Sequence, residues 1–94
     1  MRTIALERAN TIVGKIGHKI RRATSSERKD FLYSGIDNPR WVIDMGCFKP
    51  HRAFGSVYEA FQYLCKKEFV ALQEIELSSA QRELVRRAVY DEEI

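Results

Sequence analysis

A chain of 94 residues with 45% apolar and 31% charged side chains and a formal charge of +3 has the composition of one globular domain with a modest core, covering residues 1–94. No run approaches the roughly eighteen apolar residues of a transmembrane helix, and Glu7 and Arg8 interrupt the first apolar stretch too early for a secretory signal. Cys47 and Cys65 allow one disulfide but form no C-x-x-C pair, so the expectation is two reduced thiols in a cytoplasmic protein.

The charge is unevenly spread. Residues 1–40 carry nine Lys and Arg against four acids, and residues 41–94 carry seven against nine. A basic first half, densest from Lys15 to Lys29, attracts polyanions.

In chain order, Leu6, Ala9, Val13, Ile16, Ile20 and Ala23 recur at intervals of three and four and predict an N-terminal helix, with a short strand at 3–6 as an optional prelude. Gly14 and Gly17 each cost a continuous helix about 1 kcal/mol, so a break or a close packing contact is expected there. Ala23–Glu27 reads as a polar loop. Asp30–Ser34 and Trp41–Met45 are aromatic and β-branched, and Gly35-Ile36-Asp37-Asn38-Pro39 supplies turn chemistry, which together predict a β-hairpin. Alternation would put Trp41, Ile43 and Met45 on one face and Val42 and Asp44 on the other, with one face buried and the other free to be wet. The link from Gly46 to Gly55 is loop, with room for a third strand near Arg52–Phe54.

Ser56 and Glu59 form a capping-box pattern that opens a second helix with Val57, Phe61, Leu64 and Cys65 on its apolar face. Residues 69–77 fit a helix or a strand. Ser78 and Gln81 repeat the cap signal before a last helix faced by Ala80, Leu84, Val85 and Ala88. The fold class is α+β: an N-terminal helical segment, a β-hairpin or small antiparallel sheet, and C-terminal helices.

The segment Ile12-Val13-Gly14-Lys15-Ile16-Gly17-His18-Lys19-Ile20-Arg21 resembles the core of a KH domain over about a dozen residues. The shared order is two apolar residues, G-x-x-G, two residues, an isoleucine and a base. The resemblance implies nucleic-acid binding, with the sugar-phosphate backbone held at Gly14, Lys15, Ile16 and Gly17 and the elements ordered strand, helix, G-x-x-G, helix, hairpin, helix. Ile16 departs from the pattern by placing an apolar side chain in the middle of the clamp. The join Phe54-Gly55-Ser56-Val57-Tyr58-Glu59-Ala60 is similar to strand-to-helix joins in double-stranded-RNA-binding domains and three-stranded integrase arm domains, without the paired lysines of the former.

A second route to nucleic acid needs no such fold. Phe31, Tyr33 and Trp41 on the hairpin would stack bases while Arg40, Lys49, His51 and Arg52 contact phosphate. The competing reading of these aromatics is core packing. The candidate binding set is therefore Gly14, Lys15, Gly17, His18, Lys19, Arg21, Arg22, Arg40, Lys49, His51 and Arg52.

Enzymatic readings are thin. Cys47 and His51 stand four apart, and zinc would need His18 and Cys65 recruited in a spacing that matches no familiar site. Cys65 fits a small buried hydrophobe better. The expectation is a non-enzymatic protein without cofactor, bound to nucleic acid. Its alternative is an inhibitor, adaptor or accessory subunit of the phage or plasmid type that docks on a larger complex through the stripe from Leu6 to Ile20. Self-association between the acidic Asp91–Glu93 end and the basic first half is a further option.

Overall fold

The computed structural model describes residues 2–46, 50 and 52–92. The architecture is α+β: among the described residues, five α-helices surround a three-stranded antiparallel sheet.

Helix α1 (Leu6–Val13) buries Ala9, Ile12 and Val13. It starts at Ala5, an extended N-cap, so residues 3–5 do not form the optional strand. A 3₁₀ turn, Gly14–Ile16, tightens its end. The expected break at the glycines is real, and its chemistry is a helix stop. Gly17 adopts φ +82°, its N–H donates to Gly14 O at 3.2 Å, and the His18 N–H donates to Val13 O at 3.1 Å. These are the paired bonds of a Schellman cap, which needs a left-handed residue and so favours glycine.

Beyond the cap the chain is extended. Strand β1 (Lys19–Arg22) replaces the expected continuation of the helical stripe through Ile20 and Ala23. Its outer edge is covered by one side chain. Asn10 Oδ1 accepts from Ile20 N at 2.7 Å, and Asn10 Nδ2 donates to Ile20 O at 2.9 Å.

Residues 25–33 form helix α2 (Ser25–Tyr33), which corrects both the loop and the first arm of the hairpin. The cause is local. Thr24 accepts from the Glu27 N–H while the Glu27 carboxylate accepts from the Thr24 N–H, a complete capping box that outweighs the β tendency of Phe31 and Tyr33. A second Schellman cap closes it at Gly35, φ +89°, with Ile36 N donating to Phe31 O.

Strand β2 (Trp41–Asp44) is the predicted arm, but its partner is β1, in the register Arg22↔Trp41, Arg21↔Val42, Ile20↔Ile43 and Lys19↔Asp44. The short third strand exists as β3 (Ala53–Phe54), pairing Trp41↔Phe54 and Val42↔Ala53. One sheet face carries Ile20, Ile43, Trp41, Met45 and Phe54 and packs on the core, as alternation predicts. The other is not simply wet: Val42 is fully buried there.

Helix α3 (Val57–Lys67) is the core's backbone, burying Tyr58, Ala60, Phe61, Leu64 and Cys65. Ser56 caps it as expected, although the Glu59 carboxylate reaches one residue further back, to the Gly55 N–H at 3.0 Å. The ambiguous stretch resolves into helix α4 (Phe69–Glu74). Helix α5 (Ser79–Val89) opens on the predicted Ser78–Gln81 box and buries Leu84, Val85 and Ala88, while Ala80 is exposed. No helix among the described residues is long and apolar enough to cross a membrane.

The two glycines of the G-x-x-G step have opposite expected effects. Gly14 has an ordinary helical φ of −62° and open space where a Cβ would stand. Gly14→Ala should raise stability by about 0.5–1 kcal/mol, whereas Gly17→Ala should lower it by about 1–2 kcal/mol. Asn10→Leu, which strands both backbone groups of Ile20, should cost about 1–3 kcal/mol. Urea midpoints of the three variants check all three signs.

Candidate nucleic-acid interface

Strand alternation sends the adjacent Arg21 and Arg22 to opposite faces of the sheet. Arg21 faces α2, where its guanidinium is fully engaged. Nη1 and Nη2 donate to the two Glu27 oxygens at 2.8 and 2.9 Å, and Nε donates to Asp44 Oδ2 at 2.7 Å. This fork fastens α2 to the sheet. The bonds from Arg21 hold the Glu27 carboxyl down at about 2, against an ordinary 4.5.

Arg22 is exposed, and its guanidinium carbon lies 5.2 Å from the centre of the Trp41 ring on the neighbouring strand. Trp41 is itself cross-strand neighbour to Phe54, and the Phe54 ring lies 5.3 Å from that of Tyr63 on α3 at an interplanar angle of 45°. Tyr63 receives two more cations: Arg52 with Cζ at 4.9 Å and Lys67 with Nζ at 5.6 Å from the ring centre. The result is a row running from β1 through β2 and β3 to α3. It holds three half-buried rings, Trp41, Phe54 and Tyr63, and three exposed cations, Arg22, Arg52 and Lys67. No carboxylate among the described residues is salt-bridged to these three cations. Cations held against ring faces suit a stacked, anionic ligand.

Arg40 stands at the same end of the sheet. It precedes Trp41, and its N–H donates to Phe54 O at 3.1 Å and to Asn38 O at 2.9 Å. That bond pair folds the Asp37–Arg40 turn back over β3.

The predicted set divides accordingly. Arg22, Arg40 and Arg52 gather at this end of the sheet. Arg21 is consumed by ion pairs and is a structural residue. Gly14 and Gly17 belong to a helix stop followed by a strand, so the element order that the KH resemblance implies does not occur. Lys15 donates to Glu76 O at 3.0 Å, and Lys19 is exposed at the far end of β1. The His18 ring is largely buried, with Nε2 3.7 Å from Glu68 and Nδ1 without a hydrogen bond. Lys49 and His51 lie outside the described residues, as does Cys47. Phe31 and Tyr33 sit on α2, Tyr33 95% exposed, and share no hairpin with Trp41.

Sequence reasoning missed Tyr63 and the use of Lys67. Their spacing of four on a helix is a legible signal for a ring–cation pair, but nothing local ties it to Trp41, far upstream, by way of β3.

Comparison with protein-family models, with curated proteins and with solved structures returns no match.

The Arg21 fork makes stability pH-dependent. Because the folded chain holds the Glu27 carboxyl at about 2 and the unfolded chain releases it to about 4.5, its contribution is complete above pH 4.5 and is lost as pH falls toward 2. Glu27→Gln keeps an oxygen for the Thr24 N–H and removes the charge. At pH 7 it should cost about 1–2 kcal/mol, and at pH 3 it should cost less. The checking measurement is the difference in urea midpoint between native chain and variant at both pH values. The low carboxyls of Glu83 and Asp91 are present in both proteins and cancel.

Proposed function

We propose that this chain binds nucleic acid in single-stranded form, without catalysing a reaction, through Arg22, Trp41, Phe54, Arg52, Tyr63 and Lys67. The observation that carries the proposal is the row itself: rings interleaved across three strands and a helix with cations that form no salt bridge among the described residues. A duplex presents only phosphates and groove edges to such a surface, whereas an unpaired strand offers base faces for the rings and for the guanidinium planes. Arg40 and Lys66, both exposed, extend the positive field on either side.

The reading keeps the chain cytoplasmic and without cofactor. Cys65 is no nucleophile, because complete burial pushes its thiol up to about 12.

One observation favours the second reading, a protein partner. Between α4 and α5 lies a groove of about 490 Å³ walled by Phe69, Leu72, Leu77, Val85 and Tyr90, with Tyr90 66% exposed at its rim. Nothing of the cation–ring row reaches it.

The test is a fluorescence-anisotropy titration with labelled single-stranded RNA, single-stranded DNA and duplex DNA at two salt concentrations. Micromolar binding to the single strands is expected, tighter than to the duplex. Arg22→Ala with Arg52→Ala should weaken it at least tenfold and lower the slope of log K against log salt by about 1.4. Gly14→Asp, at the helix stop, should leave it unchanged. No binding to any of the three at low salt overturns the proposal and turns attention to the α4–α5 groove.

A further inference from the structure

Beside the Tyr63 end of the row lies an open concavity of about 410 Å³, and its lining is chemically odd for a polyanion surface. Two walls are rings, Phe54 and Tyr63. Arg52 and Lys66 supply cations. The remaining wall holds two carboxylates, Asp37 and Glu59, and Gln62, whose amide nitrogen donates to Ala88 O and Asp91 at the end of α5.

Local backbone geometry builds this wall. Gly55 lets the Asp37–Arg40 turn approach the start of α3 closely: a Cβ there would stand 3.2 Å from the Asn38 amide and 3.1 Å from Glu59 Oε2. Asn38 in that turn takes φ +51°, and its neighbour Asp37 lines the concavity. Glu59 Oε2 is committed to the Gly55 N–H and to Ser56, which fixes that carboxylate in place, and Asp37 makes no hydrogen bond or ion pair among the described residues.

Carboxylates in a phosphate-binding surface repel the backbone they sit beside. Glu59 is held there by its cap on α3, whereas Asp37 has no such duty among the described residues and suits a ligand group that donates. Among the four bases, guanine alone presents two adjacent donors, N1–H and N2–H, on its Watson–Crick edge, and a carboxylate accepts both at once. Adenine and cytosine set a ring acceptor beside their single amino group, and uracil flanks its one N–H with carbonyls. Both arrangements aim lone pairs at the carboxylate. We infer that this concavity is a guanine-selective pocket: an unpaired guanine stacks against Tyr63 and Phe54, its Watson–Crick edge meets Asp37, and Arg52 and Lys66 hold its flanking phosphates. The inference rests on the nucleic-acid reading above and names which base that surface prefers.

The experiment uses four labelled RNA pentamers, UUUUU, UUGUU, UUAUU and UUCUU, titrated by anisotropy against the full chain. UUGUU should bind roughly tenfold tighter than the other three, the range expected for one two-point base contact. Asp37→Asn and Glu59→Gln are compared with the native chain. Each keeps its size, and the amide oxygen introduced by Glu59→Gln can still accept from the Gly55 N–H. Asp37→Asn should erase the guanine preference while binding UUUUU as tightly as the native chain or more so, since a repulsive charge is gone, and Glu59→Gln should keep the preference. Equal binding of all four pentamers overturns the guanine pocket and leaves the nucleic-acid reading standing. A guanine preference that survives Asp37→Asn moves the base site elsewhere and overturns the assignment. No binding of any pentamer overturns both readings together.

Discussion

The amide of Asn10 decides where everything on the first strand points. Its oxygen and nitrogen bond the N–H and C=O of Ile20, so an edge that would otherwise lie bare is paired by a side chain from the preceding helix. That fixes the register of β1, and register fixes sidedness. With Ile20 inward on the core face, Arg22 must share that face two places on, and Arg21 must take the other. A slip of one residue would bury an arginine in place of Ile20 and exchange the duties of the two arginines.

Those duties are different in kind. Arg21 meets two carboxylates in a part-buried setting, where a fork of charge-assisted hydrogen bonds holds a helix that buries no residue of its own. Helix α2 has little apolar reason to stay on the sheet. Its own cap at Thr24 and the Arg21 fork share Glu27, so one carboxylate both starts the helix and attaches it. Arg22, the next residue along the chain, meets only a ring. Its charge is left to the solvent or to a ligand. Two neighbouring arginines, indistinguishable by composition, are sorted into scaffold and surface by the pleat of a strand.

What the sequence makes legible is mostly the helix punctuation of the second half. Ser56, Ser78 and Gln81 announce their helices through short-range chemistry that tertiary contacts do not overrule. The helix stop at Gly14–Gly17 is legible as a break, but its purpose is not: the same glycines that resemble a backbone clamp serve a Schellman turn, and only the positive φ of Gly17 tells the two apart. The α2 segment misleads for the converse reason. Phe31, Leu32 and Tyr33 suggest a strand, yet Thr24 and Glu27 already spell a capping box upstream, and a satisfied cap commits the turns after it. The candidate interface is legible only in fragments. Arg22, Arg40 and Arg52 are recognisable as unspent bases, whereas Tyr63 and Lys67 join them through the Trp41↔Phe54 pairing, a contact that no local pattern encodes.

Net charge by halves points to the first forty residues as the polyanion surface, and folding redistributes that charge. Glu27 and Asp44 absorb Arg21, Asp91 pairs with Arg2, and Glu83 and Glu92 pair with Arg86. Lys15 turns to the backbone carbonyl of Glu76. The cations around the rings that form no salt bridge among the described residues come from both halves: Arg22 and Arg40 from the basic one, Arg52, Lys66 and Lys67 from the acidic one. A surface assembled in this way owes its sign to which acids the core geometry has already occupied. Glu59, one of the two acids beside that surface, is spent in the same way on the α3 cap, which leaves Asp37 as the acid there without a hydrogen bond or ion pair among the described residues.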